Sequence, residues 1–320
     1  MTDLPKALRA KLNQSFQART LTVESKFTSV DGTRRYLMRT HDGNPVEAVF
    51  IPTQNRDTIC FSSQSGCALN CDFCLTARLG ILRSLTAGEI IEQIAIVLND
   101  VYGVGGETPH GTNLVAMGEG EPFLNYDNLL KALDIMSDED GLFIVPGRVT
   151  VSTAGVVPKI HEFAALDRRP NLAISLSAAN DELRDRLMPI NKRWPIDQLL
   201  AAAKVLERSL KRGERFTFEY VLLGGVNDSD EQAAELAALL ARHDLRKVKI
   251  NLIPHNPAEQ LPYRPSDPDQ VQRFKQVLES HGVSAYVRTP RGHDIYAACG
   301  QLAAKHEPNL VQIRGVAGVR

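Results

Sequence analysis

Five cysteines stand in this 320-residue chain, at positions 60, 67, 71, 74 and 299, and three of them fall within the stretch CALNCDFC, 67–74. The spacing is Cys67-x3-Cys71-x2-Cys74. Thiolates set this close together hold metal, but a closed tetrahedral zinc site or a fully ligated iron–sulfur cluster takes four protein ligands. No fourth cysteine follows within twenty residues. One reading is a structural zinc knuckle completed from a distance, which usually shows paired C-x2-C halves or a nearby histidine. The other is a four-iron cluster on three thiolates, Cys67, Cys71 and Cys74, with one iron left open for an exogenous ligand. An odd number of cysteines gathered at one end does not read as a secreted disulfide framework and points to metal or redox chemistry in a reducing compartment.

The elements that must position these thiols are legible in the hydrophobic pattern. ESKFTSV, RRYLMRT and PVEAVFIP alternate around Asp31-Gly32 and Asp42-Gly43, which predicts a small antiparallel meander. After DTICFSS and the cysteine loop the pattern changes to strands alternating with amphipathic helices. LTAGEIIEQIAIVLND opens with Thr86 and Glu89 at capping-box spacing. Such alternation argues for parallel βα units, and about six of them predict an α/β fold, a partial (βα)6 barrel. The expected organisation is a short helical extension over 1–23, the meander over 24–58, the barrel over 59–305 and a loose tail over 306–320. DPDQVQRFKQVLESHG and DIYAACGQLAAKH are expected to form a last pair of helices around the strand SAYVRT.

Composition excludes some classes. Hydrophobic residues make up 43% and charged residues 23%, and no apolar run reaches the roughly 20 residues of a membrane span. The start, MTDLPKALRAKLNQSF, lacks the apolar core of a secretory signal, so a cytoplasmic location and no membrane partner are expected. A net charge of −1 argues against a basic polymer-binder but leaves room for a local basic patch.

The cysteine spacing, with an aromatic residue before the last cysteine, resembles the radical S-adenosylmethionine (SAM) superfamily. MGEGEPFLN, RVTVSTAGVVP, LAISLSAANDELRDRLMPINK, KINLIPHNP and RGHDIYAACGQLA resemble, in this order, stretches of the RlmN/Cfr group of RNA adenine methyltransferases. The likeness is greater to the adenine-C2 enzymes than to the C8 type. It implies a [4Fe–4S] cluster on Cys67, Cys71 and Cys74, whose open iron binds SAM, with two SAM consumed per turnover. Cys299, otherwise an inert buried thiol, would accept a methyl group from SAM and carry it. A radical formed on that methyl would add to C2 of an adenine in 23S rRNA, tRNA or both. Cys60, otherwise a strand-core residue, would release the product by a transient disulfide with Cys299. Glu47, by its alternation a solvent-facing strand residue, would be the proton acceptor.

The resemblance also places Gly120, Glu121, Ser152, Ser175, Leu176, Ser177 and Asn256 on SAM, positions that would otherwise read as turns or caps. It implies an electron donor such as flavodoxin or ferredoxin. Arg184, Arg186, Lys192, Arg193, Arg288 and Arg291 are candidate RNA contacts, each of which alone would read as a solvated charge. Three positions depart from the group: Ser177 where histidine is frequent, Ala77 in place of glycine, and Glu119 in place of methionine. Only about two dozen residues precede the meander, where fuller members carry an accessory domain. The alternatives are the same chemistry on adenine C8 or another RNA, and a metal-stabilised RNA-binding protein without catalysis.

Overall fold

The computed structural model describes residues 4–15, 19–106, 111–245 and 248–302. Strands β1 (Leu21–Thr28), β2 (Arg34–Thr40) and β3 (Pro45–Ile51) form the antiparallel meander. Its turns use Gly32 and Gly43 at φ of 84° and 82°, as the Asp-Gly pairs require. The meander is not a separate layer. β3 pairs antiparallel with β4 (Asp57–Cys60), and β4 pairs parallel with β7 (Thr112–Ala116), so the expected boundary at residue 58 falls inside a hydrogen-bonded strand. One ten-stranded sheet runs β1-β2-β3-β4-β7 and on through β8 (Val149–Thr153), β9 (Asn171–Ser175), β10 (Phe216–Leu222), β11 (Lys249–Pro254) and β12 (Ser284–Val287). From β4 to β12 every ladder is parallel, which gives the six βα steps expected.

The crossovers are helical: α3 (Ala87–Tyr102), α4 (Tyr126–Ser137), α5 (Val157–Ala164), α6 (Asp181–Leu187), α7 (Ile196–Ser209), α8 (Asp230–Arg242) and α9 (Pro268–Ser280). The Thr86–Glu89 capping box forms at the start of α3. Outside this pattern lie α1 (Lys6–Ser15), α2 (Leu75–Arg78) and the hairpin of β5 (Gln64–Gly66) and β6 (Ile81–Ser84). Among the described residues no helix is long and apolar enough to cross a membrane.

Strand periodicity sorts the side chains into two faces. Leu114, Val151, Ile174, Phe218 and Leu252 are fully buried on one face with Ile90, Leu129, Ile160, Leu199 and Leu240 of the helices, in one hydrophobic core. Each such side chain contributes about 1.5–3 kcal/mol. The alternate residues Met117, Ser152, Ser175, Glu219 and Ile253 face the inside of the curve, where they line a common cavity.

The chain after β12 departs from expectation. DIYAACGQLAAKH was expected to be a helix, but its described part is a 3₁₀ turn (His293–Ile295) followed by loop to residue 302. Gly292 and Tyr296 bracket the turn at φ of 59° and 53°, left-handed values that end any right-handed helix. This strap runs from the β12 edge to the β1–β2 turn. There Asp294 accepts from Ser29 Oγ at 2.5 Å and Val30 N at 3.2 Å, and Asp31 accepts from Gly292 N at 3.0 Å. Ile295, Ala297 and Leu302 pack with Val49 and Cys60. The strap, not a β ladder, closes the partial barrel. The expected tail, 306–320, lies outside the described residues.

Candidate active site

The cysteine loop leaves β5 and crosses the C-terminal ends of the parallel strands, where βα barrels collect their chemistry. Cys67 N donates to Gly80 O at 3.0 Å, and a Cβ on Gly66 would sit 1.9 Å from that oxygen, so only glycine can precede Cys67. Asp72 N reaches Leu187 O at 3.0 Å, while the Asp72 carboxylate holds Arg78 at 2.9 Å and accepts from Tyr263 OH. Cys67, Cys71 and Cys74 line one cavity together with Gly120, Glu121, Ser152, Ser175, Ser177, Asn256 and Cys299.

Three thiols on one loop, facing a common cavity, fit a cluster that leaves one iron open to an exogenous ligand. Burial pushes the Cys67 thiol up to about 12, and burial likewise raises Cys71 and Cys74. Thiols so placed ionise when a metal displaces their protons. Among the described residues, His41, Asp42 and Glu89 stand close enough to share a metal ion but make a poor site, because Arg83 bridges both carboxylates, at 2.8 Å and 2.6 Å.

The opposite wall fits a polar cationic co-substrate. Gly120 has φ of 96°, and a Cβ there would lie 2.5 Å from Gln64 Cβ, so the backbone approaches as only glycine allows. Glu121 accepts from Phe123 N at 3.0 Å and Ala154 N at 2.7 Å, yet burial outweighs those bonds and brings its pKa up to about 7. Ser177, at φ of 55°, accepts from Val221 N at 3.3 Å and keeps its place on the wall where the group often has histidine. Asn256 Oδ1 and His255 Nε2 are buried wall atoms without a hydrogen-bond partner among the described residues, as atoms reserved for a ligand would be. Burial lowers the His255 pKa to about 4, so the ring is neutral at pH 7.

Cys299, 225 residues beyond Cys74 in the chain (299 minus 74), is fastened to the cluster loop. Leu75 N donates to Gly300 O at 2.8 Å, Thr76 Oγ1 to Leu302 O at 2.7 Å and Asn256 Nδ2 to Cys299 O at 3.2 Å. Cys299 shows surface because it forms wall in two cavities. Protein still surrounds its sulfur closely enough that burial raises the thiol's pKa, with Arg288 opposing. Cys60 lines the second cavity beside Cys299, and burial raises it to about 12. Both are free thiols.

Three expected positions differ, and the departure at Glu119 finds its place beside one of them. Arg184 is not a surface contact for RNA. It is 1% exposed and donates to Leu176 O, Asn191 Oδ1, Ala154 O and Ser175 O at 2.7–3.1 Å, tying the ends of β8 and β9 together. Leu176 turns its side chain into the hydrophobic core and does not line the cavity. Glu47 is 1% exposed and pairs with Arg35 at 3.0 Å. It shares a sheet face with Cys60 through the Val49–Cys60 register, but it lines neither cavity. Glu119, the methionine replacement, is buried near that pair, where burial first and the Glu47 charge second raise its pKa well above the usual range. The remaining cations divide: Arg186, Lys192 and Arg193 are exposed away from both cavities, and Arg288 and Arg291 line the second.

Sequence reasoning missed Glu219, which lines the first cavity and receives Ser152 Oγ at 3.3 Å and Arg288 Nη1 at 3.3 Å. The available signal was its place in FTFEYVL, alternating with apolar residues on a strand that runs to the site. Ala77 replaces glycine without strain because it lies inside α2.

A model of the radical SAM superfamily matches residues 61–237. A probable dual-specificity RNA methyltransferase RlmN of Koribacter versatilis is 48% identical over 317 residues, covering 94% of this chain and 89% of that protein. A dual-specificity RNA methyltransferase RlmN of an Anaeromyxobacter species is 47% identical, covering 96% and 81%. The crystal structure of a radical SAM methyltransferase from Sphaerobacter thermophilus superposes with a TM-score of 0.89 at 42% identity, over 95% of this chain and 87% of that one. With a three-thiol loop joined to a distant fourth thiol and relatives of this identity over nearly the whole length, the chain belongs to the radical SAM superfamily and, within it, to the RlmN family of methyltransferases.

Proposed function

We propose that the protein methylates C2 of an adenine in RNA, ribosomal, transfer or both, and that Cys299 carries the methyl group between SAM and the base. The fastening of the Cys299 segment to the cysteine loop, through Leu75–Gly300 at 2.8 Å and Thr76–Leu302 at 2.7 Å, carries this reading. It puts a sulfur nucleophile from the far end of the chain on the wall of the same cavity as the cluster ligands. Cys67, Cys71 and Cys74 would hold a [4Fe–4S] cluster. When bound, the cluster and SAM supply one-electron carbon–sulfur cleavage, a chemistry that side chains do not offer.

The other roles follow from position. Gly120, Glu121, Ser152, Ser175, Ser177 and Asn256 bind SAM; Leu176, with its N–H on Glu219 O at 2.9 Å and its carbonyl taking Arg184 Nε at 3.1 Å, fixes the wall between Ser175 and Ser177. Sulfur suits Cys299 because it both accepts a methyl group and serves as a leaving group. Cys60, which lines the second cavity with Cys299, is the thiol that attacks the Cys299 sulfur: the S–S bond forms as the carbon–sulfur bond to the product breaks, the departing carbon takes the electron pair and a proton, and an external thiol reductant returns the Cys60–Cys299 disulfide to two thiols. The proton from the adenine goes to a buried carboxylate. Glu219 lines the cavity, and Glu47 stands behind the wall on the Cys60 face. The target adenine must leave its stack to reach Cys299. Electrons come from a small carrier of the flavodoxin or ferredoxin kind, in a cytoplasmic setting.

Mass spectrometry of Cys299 after incubation of the anaerobically reconstituted protein with SAM tests the carrier. The expected result is a single added methyl on that residue and 2-methyladenosine in treated RNA. An unmodified Cys299 alongside methylated RNA would refute the carrier role, and 8-methyladenosine would refute the position.

A further inference from the structure

The two cavities that share Cys299 differ in charge. Among the described residues, the first is lined by Glu121 and Glu219 and by no lysine or arginine. The second is lined, among the same residues, by Arg56, Arg288 and Arg291 and by no carboxylate, in a chain whose net charge is −1. The carboxylate side suits the sulfonium and ammonium charges of SAM, and the arginine side suits a polyanion. The second cavity encloses about 390 Å³, within the range that holds one small organic group.

Its three arginines are not equally available. Arg288 is committed to Glu219 at 3.3 Å and Arg291 leans on Asp31 at 3.8 Å. Arg56, in the β3–β4 loop, is exposed and has no ion pair among the described residues. Its backbone is fixed nonetheless. Thr53 Oγ1 accepts from Arg56 N at 3.3 Å and donates to Arg56 O, and Asp57 Oδ1 accepts from Thr53 N at 3.4 Å. A free guanidinium on a pinned loop, at the mouth of a cavity that ends at Cys60 and Cys299, is built to grip an oxyanion by its fork of donors.

We infer that Arg56, seconded by Arg291 of the strap, holds a backbone phosphate of the RNA strand whose base enters the second cavity. The assignment rests on the RNA-methyltransferase reading and adds the residue that seats the substrate. A base close enough to bond to the carbon on Cys299 leaves its phosphate at the rim, where Arg56 stands.

The test uses the anaerobic holoenzyme and an in vitro transcribed transfer RNA, with binding measured across a salt series. Arg56→Gln should weaken binding about 3- to 10-fold and lower the slope of log K against log salt by about 0.7–0.9, one phosphate contact's worth. The loss should appear in KM rather than kcat. Arg56→Lys should keep most of the slope, and Arg242→Gln, which removes the same charge from an exposed position on α8, should change neither. Wild-type slope and affinity in Arg56→Gln would overturn the inference, as would equal losses in Arg56→Gln and Arg242→Gln. A wild-type enzyme that bound no RNA would instead remove the reading beneath it.

Discussion

Glu121 offers the sharpest test of how the site is built, because two effects oppose each other on one carboxyl group. Both of its oxygens accept backbone amides, which favours the ionised form, while burial at 2% exposure favours the neutral form and prevails, raising the pKa from 4.5 to about 7. The folded protein therefore holds this proton more tightly than the unfolded chain does. The stabilisation is complete below pH 4.5 and is lost as pH rises through about 7. At ~1.4 kcal/mol per pH unit the full loss is roughly 3 kcal/mol, of which some 2–3 kcal/mol falls between about pH 5 and 8.

Glu121→Gln removes the titration and sets an amide NH₂ against one backbone donor, Phe123 N or Ala154 N, at a cost of about 1–3 kcal/mol. The variant should thus be less stable than wild type at pH 5 and should close or reverse that gap by pH 8. Urea unfolding of the reduced, metal-free protein at both pH values measures this directly. If the stability difference stays constant across the range, burial does not control Glu121 and the account is wrong. The same linkage has a functional side: a bound ammonium group would favour the carboxylate, so SAM binding below pH 7 should release a proton, visible as a binding heat that varies with the buffer's ionisation enthalpy.

Three further outcomes are expected. Arg184→Met strips the donor from three carbonyls at the ends of β8 and β9 and from Asn191 Oδ1, and should cost about 3–5 kcal/mol in denaturant unfolding, whereas exposed Arg186→Gln should stay within about 0.5 kcal/mol. Glu219→Gln should lower methyladenosine formation by about 10- to 100-fold with a small change in melting temperature, while Glu47→Gln should act first on stability because it leaves buried Arg35 unpaired. Lost turnover with an unchanged melt in Glu47→Gln would place that residue at the reacting atoms instead. Thr76→Val leaves Leu302 O without its donor, at a local cost of about 1–3 kcal/mol, so hydrogen exchange in the strap should quicken and Cys299 should be methylated more slowly.

The cysteine spacing, the Asp-Gly turns and the βα alternation were legible because each depends on local sequence: a fixed loop, a positive φ, a period of two or 3.6. What the sequence did not disclose depends on partners distant in the chain. Arg184 sits in a helix with charged neighbours, and nothing local says that four carbonyl and amide oxygens from other elements converge on it. Glu47 alternates with apolar residues as an exposed strand residue would, yet Arg35 covers it from the neighbouring strand. DIYAACGQLAAKH has the small and apolar residues of a helix. The hydrogen bonds from Ser29 and Val30 to the Asp294 carboxylate, and from Leu75 and Thr76 to Gly300 O and Leu302 O, hold it as a 3₁₀ turn and loop instead.

On the proposed reading, the looped strap lets one thiol serve two chemistries. A helix would present Cys299 on one side only. A turn at residues 298–301, closed by Gln301 N on Ala298 O at 3.0 Å, makes Cys299 part of the lining of both a carboxylate-lined cavity and an arginine-lined one. In the proposed route a methyl group would arrive as part of a cation and leave on a base borne by a polyanion, and these ligands could not share one charged chamber without one of them meeting repulsion. With the Cys299 sulfur on the lining of both cavities and its backbone fixed at Asn256 and Leu75, each ligand of the proposed route would approach through the field that suits it. The strap therefore has to be anchored at both ends. Loosening the Asp294 end should impair RNA turnover through Cys60 and Arg291 more than methylation of Cys299, and loosening the Thr76 end should do the reverse.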